Sequence, residues 1–199
     1  MAGLRLKAFS TPLLDPFDLE LEPGECVTLS GPSGSGKSRL LRAIADLDPH
    51  GGEAWCGETA QHAVSGPAWR REVGLLPAES SWWNERVIDH FPQLDKSILA
   101  HLNLPATSTE WTVNRLSSGE RQRLALLRLL SGQPRILLLD EPTANLDKGN
   151  IDLAESLIEE WRKAHDTAVL WVTHDPDQQR RVGSHSLVIR NRTLVSAWN

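Results

Sequence analysis

A glycine-rich run that ends in lysine and serine has the most clearly defined chemistry in the sequence. It fits the spacing GxxxxGK[ST] and consists of Gly31, Pro32, Ser33, Gly34, Ser35, Gly36, Lys37 and Ser38, with Arg39 directly after it. Glycines let backbone N–H groups wrap an anion, and a helix that begins at the run adds positive potential. We expect Lys37, as a catalytic cation, to reach the β- and γ-phosphates of a nucleotide, and the Ser38 hydroxyl to bind Mg²⁺. The run is therefore predicted to be a phosphate-binding loop.

Two adjacent carboxylates, Asp140 and Glu141, come directly after the apolar residues 136–139. Such a stretch is typical of a buried strand, and ligands of open α/β sheets bind at the carboxyl ends of the strands. We expect Asp140 to hold Mg²⁺ through water and Glu141 to polarise an attacking water as a general base. Adjacent acids repel each other unless a cation lies nearby, and Mg²⁺ would supply it. A solvated strand end is the alternative, and the phosphate-binding loop upstream makes it the weaker one.

The hydrophobic pattern predicts the strands and helices that must position these groups. Short apolar segments predict strands, and apolar residues at helical spacing predict helices. The predicted strands are 17–21, 26–29, 72–76, 136–139 and 168–172, with a hairpin over 187–195. The predicted helices are 37–47, 118–130 and 151–164, with small helices suggested within 80–114. Strands that alternate with helices favour an α/β fold with a mostly parallel sheet.

Composition and charge limit the classes of partner. The chain has 199 residues, 40% of them hydrophobic, and a formal net charge of −5. A mildly acidic chain is a poor non-specific binder of nucleic acid, so we expect no nucleic-acid partner. No apolar run approaches the ~20 residues that span a bilayer, and the N-terminus lacks the apolar core of a signal peptide. The spacing of Cys26 and Cys56 fits neither a zinc site nor a disulfide framework. These features favour a cytoplasmic protein.

Several short motifs in a fixed order make the chain resemble the ABC ATPase family. Residues 116–120 (LSSGE) are similar to the LSGGQ signature, residues 144–147 (ANLD) resemble the D-loop, and residues 172–175 (VTHD) resemble the switch-histidine segment. The resemblance implies an α/β P-loop NTPase fold of the ABC-ATPase type. This fold has a mostly parallel sheet, an N-terminal antiparallel β portion and a small helical subdomain. Residues 1–199 would form a single ATP-binding cassette, with the helical signature subdomain at approximately 80–130.

The resemblance also implies an ATPase that binds ATP and Mg²⁺ and powers transport through a separate, polytopic membrane permease. Two identical cassettes would pair head to tail in the ATP-bound state, so that ATP lies between the phosphate-binding loop of one and the signature of the other. Ser117 and the backbone of Gly119 would contact the γ-phosphate across the interface. His174 would hold Glu141 and water in place, and Asp147 would link the two sites. The chain would lie on the cytoplasmic face of the inner (plasma) membrane, bound through its permease.

The sequence departs from the family pattern in the loop after the strand predicted at 72–76. The family has a glutamine there that senses the γ-phosphate and contacts the membrane partner, whereas this chain has Ala78 followed by Glu79. Glu79 could bind Mg²⁺ in its place, although its charge repels phosphate. The signature carries Ser118 and Glu120 where the family has glycine and glutamine. Ser118 adds bulk close to the phosphate, which is expected to slow turnover.

Three aromatic residues each have two open interpretations. The family often stacks adenine on an aromatic side chain near the first strand, and Phe9 is the nearby candidate; a core position is the alternative. Trp82 and Trp83 lie in the region that forms the family's groove for a helix of the membrane subunit. They fit a buried interface anchor, and packing inside the helical subdomain is the alternative.

Other functional classes are open as alternatives. A non-transport ABC ATPase that acts on a ribosome or DNA usually has two fused cassettes or a long coiled-coil insertion, and neither is visible in the sequence. A P-loop kinase of small molecules would lack the signature and the switch histidine. The stretch 168–174 and the compact length resemble a small bacterial group associated with metal or iron export. The cargo and the direction of transport belong to the membrane subunit, so the sequence of this chain leaves both open.

Overall fold

The computed structural model describes residues 3–91 and 96–197, and its centre is a six-stranded sheet. Across the sheet the strands are β10 (Thr193–Ser196), β9 (His185–Arg190), β3 (Cys26–Ser30), β8 (Ala168–Val172), β7 (Ile136–Asp140) and β6 (Val73–Leu76). Neighbouring strands run parallel, except that β10 returns antiparallel to β9 through the predicted hairpin. Strands β7 and β8 are buried throughout, which explains why their sequences are continuous apolar runs.

A second, antiparallel sheet is formed mainly by the N-terminal part of the chain. Its strands, in order, are β2 (Leu14–Leu21), β1 (Leu4–Thr11), β4 (Gly51–Cys56) and β5 (Thr59–Ala60). Strand β1 pairs on both sides, since Leu4 lies opposite Leu21 of β2 and Cys56 of β4. The predicted fold class, a mostly parallel sheet with an N-terminal antiparallel portion, is therefore confirmed.

The helices lie between strands along the chain. They are α1 (Lys37–Ile44), α2 (Gly66–Glu72), α3 (Ser118–Ser131), α4 (Lys148–His165) and α5 (Pro176–Val182). Short 3₁₀ turns cover Gln61–Ala63, Ile88–His90, Lys96–Leu102, Ala106–Glu110 and Val113–Arg115. In the described ranges, no helix combines the length and the hydropathy needed to cross a membrane.

Alternate residues of the central strands pack into two separate hydrophobic clusters. Leu138 of β7 belongs to a cluster shared with α1, α2 and the antiparallel sheet, whereas Leu137 belongs to one shared with α3, α4 and the 3₁₀ turns. Each cluster contains a buried tryptophan, Trp69 in the first and Trp171 in the second. The Nε1 of Trp69 donates to the carbonyl of Ile44 at 2.8 Å, which ties α2 to the end of α1.

Both cysteines are free thiols and are buried. Burial raises the pKa of Cys26 to about 12 and that of Cys56 to about 11, because a thiolate loses its hydration in apolar surroundings. They act as small apolar side chains.

The structure contains short elements that the hydrophobic pattern did not predict. Helix α2 has 7 residues with a proline in its first turn, and Trp69 is its one buried side chain, so no repeating apolar face was present. Helix α5 also has 7 residues and buries the polar Gln178 and Gln179. Strand β4 begins with two glycines, which are depleted in strands. The small helices suggested within 80–114 are 3₁₀ turns where the structure describes them, and the subdomain limits 80–130 stay a prediction.

Candidate functional site

The carboxyl ends of β3, β7 and β8 meet at one edge of the parallel sheet and carry predicted site residues. Asp140, the last residue of β7, lies opposite Val172 of β8. The backbone N–H of Glu141 continues this ladder to the Val172 carbonyl at 3.1 Å, and the N–H of Thr173 donates to the Leu29 carbonyl at 3.2 Å. The register of the three strands therefore brings the phosphate-binding loop, the acid pair and the switch-histidine segment together.

The phosphate-binding loop has a backbone suited to an anion. Gly31, Gly34 and Gly36 have φ angles of 144°, 77° and 105°, a region that residues with a Cβ rarely adopt. A Cβ on Gly31 would lie 3.0 Å from the Oγ of Ser35. The Ser35 hydroxyl is buried and has no hydrogen-bond partner among the described residues. Because a buried polar group without a partner is costly, this hydroxyl fits a ligand inside the loop.

Lys37 opens α1 and folds its side chain back over the loop. Its Nζ donates to the carbonyls of Gly31 at 2.9 Å and Pro32 at 3.0 Å, and the residue is 7% exposed. Burial lowers the pKa of Lys37, and the charges of Glu141 and Asp140 oppose this shift. The ammonium group therefore lies where it can neutralise a phosphate held by the loop. Arg39, the residue predicted beside the loop, is exposed on α1.

Asp140 lies beside Ser38, the second residue of α1. It is 6% exposed, and its side chain is hydrogen bonded to Ser38. Burial raises the pKa of Asp140, and the hydrogen bond from Ser38 opposes this shift. A hydroxyl and a carboxylate in contact are oxygen ligands of the kind that Mg²⁺ takes in nucleotide sites, where phosphates and water complete the coordination. The described residues contain no group of three or more His, Cys, Asp or Glu that could hold a metal ion by themselves.

Glu141 and His174 form a pair at the rim of the site. The Nε2 of His174 lies 3.0 Å from the Oε1 of Glu141, and the two side chains are 49% and 35% exposed. Glu141 has a φ of 48°, an uncommon conformation for a residue with a side chain, and such strain is often found at functional sites. A carboxylate that is oriented by an imidazole and remains open to solvent is suited to activating a water molecule.

The signature residues begin α3 as a capping box. The Oγ of Ser117 accepts a hydrogen bond from the backbone N–H of Glu120 at 3.2 Å, and Glu120 accepts one from the backbone N–H of Ser117 at 2.8 Å. A Cβ on Gly119 would lie 3.3 Å from the carbonyl oxygen of Asn145 and 3.4 Å from Cδ2 of Leu146. The signature therefore packs closely against the D-loop.

Asp147 ends the D-loop and caps α4. Its Oδ1 accepts a hydrogen bond from the backbone N–H of Asn150 at 3.1 Å, and hydrogen bonds from this residue lower the pKa of Asp147. Within residues 3–91 and 96–197, no hydrogen bond or ion pair joins Ser117, Gly119 or Asp147 to the phosphate-binding loop, the acid pair or His174. The residues that the strand ends bring together are Lys37, Ser38, Asp140, Glu141 and His174.

Phe9 is a core residue and is not available to stack on a base. It is 0% exposed, stacks on His50 with ring centroids 4.6 Å apart, and meets Phe17 edge-on. The turn between β1 and β2 instead places Leu13 beside the loop, where a Cβ on Gly36 would lie 3.1 Å from Leu13 Cβ. A cavity of about 490 Å³ at this point is lined by Leu13, Pro32, Ser33, Gly34, Ser35 and residues 189–192. Sequence reasoning missed Leu13, because only the pairing of β1 with β2 places this turn against the loop.

The loop after β6 offers no side chain equivalent to the family's glutamine. Ala78 has no polar side-chain atom, and Glu79 is exposed, with no hydrogen bond or ion pair to any described residue. The structure therefore gives no support to Glu79 as a replacement ligand.

Comparison with known proteins agrees with the motifs and the fold. The sequence profile of the family described as "ABC transporter" matches residues 14–144. The aliphatic sulfonates import ATP-binding protein SsuB 2 of Paraburkholderia xenovorans is 35% identical over 202 residues, which cover 99% of this chain and 78% of that protein. The protein of the same name from Pseudomonas syringae pv. syringae is 40% identical over 196 residues, which cover 93% of this chain and 64% of that protein.

A solved structure shares the fold at lower sequence identity. It is a bacterial Atm1-family ABC exporter with ATP bound, which superposes with a TM-score of 0.83 at 20% identity over 98% of this chain and 38% of the exporter chain. The fold and the site define an ATP-binding cassette. The chain belongs to the ABC transporter family, of which it is an ATP-binding and ATP-hydrolysing subunit.

Proposed function

We propose that two copies of this chain close on two Mg-ATP molecules and thereby drive a polytopic membrane permease. One observation supports the proposal: the residues at the strand ends and the signature-like residues of α3 form two separate groups in one copy. The strand ends and the start of α1 bring together Lys37, Asp140 and Glu141, whereas Ser117 caps α3 and, among the described residues, has no hydrogen bond or ion pair to that group. A head-to-tail pair would place the N-terminus of α3 from one copy opposite the phosphates held by the other.

Each residue near the strand ends has a separate role in the proposed reaction. Lys37 and the backbone of the loop would bind the phosphates, and Ser38 and Asp140 would hold the metal ion. Mg²⁺ bound there would neutralise the charge that develops on the transferring phosphoryl group. Glu141 accepts the proton of the attacking water, and His174, 3.0 Å from Oε1 of Glu141, orients that carboxylate. ATP binding closes the pair and hydrolysis reopens it, which couples the chemistry to a change of shape.

The names of the relatives favour an importer. The relatives described above are named as ATP-binding proteins of aliphatic sulfonate import, so we propose uptake of a small organic anion of the sulfonate class. The names of the relatives described above do not mention metal export. They therefore do not support the resemblance of residues 168–174 to a metal-export group. We place the chain on the cytoplasmic face of the plasma membrane, held there by its permease. A net charge of −5 disfavours the ribosome and DNA alternatives.

The test uses the Glu141→Gln variant, which is expected to bind ATP, to hydrolyse it roughly 10²-fold or more slowly, and to accumulate as an ATP-bound dimer. The tagged variant with Mg-ATP is recovered from detergent-solubilised native cells, and its partners are identified. A polytopic membrane protein is expected to be recovered with it. Recovery of ribosomes, DNA or soluble proteins alone would favour the non-transport alternative. Turnover of Glu141→Gln at the native rate would remove Glu141 from the catalytic role.

The cargo is tested in cells that express the chain with its recovered membrane partner. Uptake of a labelled alkanesulfonate is measured with the native chain and with Glu141→Gln, and inorganic sulfate uptake serves as the comparison. Sulfonate uptake that depends on Glu141 is the expected result. Equal uptake with both chains would rule out the sulfonate assignment and would leave the ATPase assignment intact.

A further inference from the structure

The hairpin between β9 and β10 turns on an arginine that has an unusual backbone conformation. Arg190 lies opposite Thr193, so the turn consists of Asn191 and Arg192. Both turn residues have positive φ angles, 48° for Asn191 and 66° for Arg192. Turns of this kind favour asparagine followed by glycine, because most side chains are strained at positive φ. Strain of this kind is often retained at functional sites, where other contacts offset it.

Two acceptors hold the guanidinium group of Arg192 against the turn between β1 and β2. Its Nε donates to Oδ1 of Asp15 at 3.0 Å, and its Nη1 donates to the carbonyl of Pro12 at 3.3 Å. The side chains of Arg192 and Asp15 are 53% and 51% exposed, so this pair adds little stability. Its effect is to fix the guanidinium plane, because both hydrogen bonds are made by N–H groups that lie in that plane.

The fixed guanidinium group borders the cavity beside the phosphate-binding loop. Arg192 lines this cavity of about 490 Å³ together with Leu13 and residues 32–35 of the loop. The volume lies within the range of about 300–1,000 Å³ that is typical of small-molecule sites. A nucleotide whose phosphates occupy the loop would extend its sugar and base into this space. None of the described residues that line the cavity is aromatic, so a base that enters it meets the planar group of Arg192 and the apolar side chain of Leu13.

We propose that the guanidinium plane of Arg192 stacks on the nucleobase and makes the cavity selective for purines over pyrimidines. The inference rests on the proposed function and adds the residue that recognises the base. A planar cation attracts the π-face of an aromatic ring, and the in-plane hydrogen bonds to Asp15 and Pro12 leave the faces of the guanidinium group available. A purine has the larger π-face and gains more from stacking. This gain offsets the strain of an arginine at a turn position that favours glycine.

The experiment measures the affinity of the full-length chain for Mg-ADP and for Mg-pyrophosphate by titration calorimetry. Both ligands present a diphosphate to the loop, and only ADP carries a base. Arg192→Met is expected to weaken ADP binding at least about fivefold, the lower limit for loss of one base stack, and to leave pyrophosphate binding unchanged. Arg192→Lys keeps the charge and loses the plane, so its affinity for ADP should lie near that of Arg192→Met. The matched control is Arg42→Met, because Arg42 is 47% exposed and pairs with Asp48 at 2.8 Å outside the cavity.

A glycine variant separates nucleotide binding from folding. Arg192→Gly relieves the strain of the turn, so the melting temperature without ligand is not expected to fall. Binding of ADP should nevertheless weaken as much as in Arg192→Met. A lower melting temperature combined with native ADP affinity would show that Arg192 has a structural role only, and would overturn the inference.

Base selectivity provides a second readout that does not depend on pyrophosphate. The native chain is expected to bind ADP more tightly than UDP, and Arg192→Met is expected to narrow this difference. An unchanged difference, or equal losses of affinity for ADP and pyrophosphate, would overturn the inference and leave the proposed function intact. Failure of the native chain to bind ADP would overturn both.

Discussion

The carboxylate of Glu120 accepts two hydrogen bonds from Ser117, one from its backbone N–H and one from its hydroxyl, each at 2.8 Å. The backbone hydrogen bond from Ser117 is the largest cause that lowers the pKa of Glu120, so the group is ionised at neutral pH. The proposed dimer directs the same hydroxyl at the γ-phosphate of ATP bound to the other copy. A negative charge therefore lies beside a position where more negative charge must bind.

Glu120→Gln is expected to strengthen ATP-driven dimerisation. Glutamine keeps the capping box and removes the charge. Two like charges a few ångströms apart in water repel by about 1 kcal/mol, so the dimer should form at an ATP concentration about fivefold lower. The measurement is sedimentation velocity in the Glu141→Gln background across an ATP titration.

The control for net charge is Glu58→Gln, a change at an exposed position of the antiparallel hairpin. It should leave the ATP titration unchanged. If Glu120→Gln does not lower the ATP concentration at which the Glu141→Gln chain dimerises, the carboxylate moves away from Ser117 without cost when ATP binds.

His174→Ala is expected to lower kcat by roughly 10²-fold, because Glu141, the proposed general base, loses the group that would orient it. The side chain is 49% exposed, so the free energy of unfolding should change by less than about 0.5 kcal/mol. The matched control is His185→Ala, since Nδ1 of His185 lies 3.0 Å from Oε1 of Glu25 in a second His–Glu pair. Equal losses of activity in both variants would contradict a specific role for His174.

Asp140→Asn is expected to stabilise the nucleotide-free protein and to reduce hydrolysis roughly 10²-fold. Burial raises the pKa of Asp140, so the folded state disfavours the ionised carboxyl. The stability of the native protein therefore falls as pH rises from the ordinary range of aspartate through the raised pKa. Melting temperatures without nucleotide or Mg²⁺ should be higher for the variant above the raised pKa. This difference should narrow as pH is lowered towards the ordinary range of aspartate. A difference in melting temperature between variant and native protein that stays constant with pH would contradict this explanation.

Leu13→Phe is expected to tighten nucleotide binding. Leu13 is 37% exposed beside the phosphate-binding loop, and Phe9 is buried. Among the described residues that line the cavity at this loop, none is aromatic. Stacking of a base on an aromatic ring contributes about 1–3 kcal/mol, which is at least about fivefold in Kd. Binding of a fluorescent ATP analogue provides the measurement, and Leu153→Phe, at 36% exposure on α4, is the control. Unchanged affinity would indicate that the base binds away from Leu13.

The strands of the parallel sheet were the most predictable elements of the fold, and the glycine-rich loop was the most predictable part of the candidate site. Buried parallel strands such as β7 and β8 are continuous apolar runs, and the phosphate-binding loop needs glycines at fixed spacing because its backbone adopts positive φ. Such local requirements restrict the residue types at fixed positions, so they can be recognised in the sequence. Helices α2 and α5 were not predictable in this way, because each is a single short element with few apolar side chains.

The sequence by itself determined the candidate chemical groups: the predicted phosphate-binding loop, the acid pair, the histidine of the switch-like segment and the signature-like run, in an order that identifies the family. Only the tertiary structure decided which of these groups meet. The register of β7 against β8 set the contact between Glu141 and His174, the pairing of β1 with β2 buried Phe9 and brought Leu13 to the loop, and the packing of α3 placed Arg128 between Trp82 and Trp83. These contacts join residues far apart in the chain, and their positions depend on strand register and on the filling of the two cores, which no local pattern encodes.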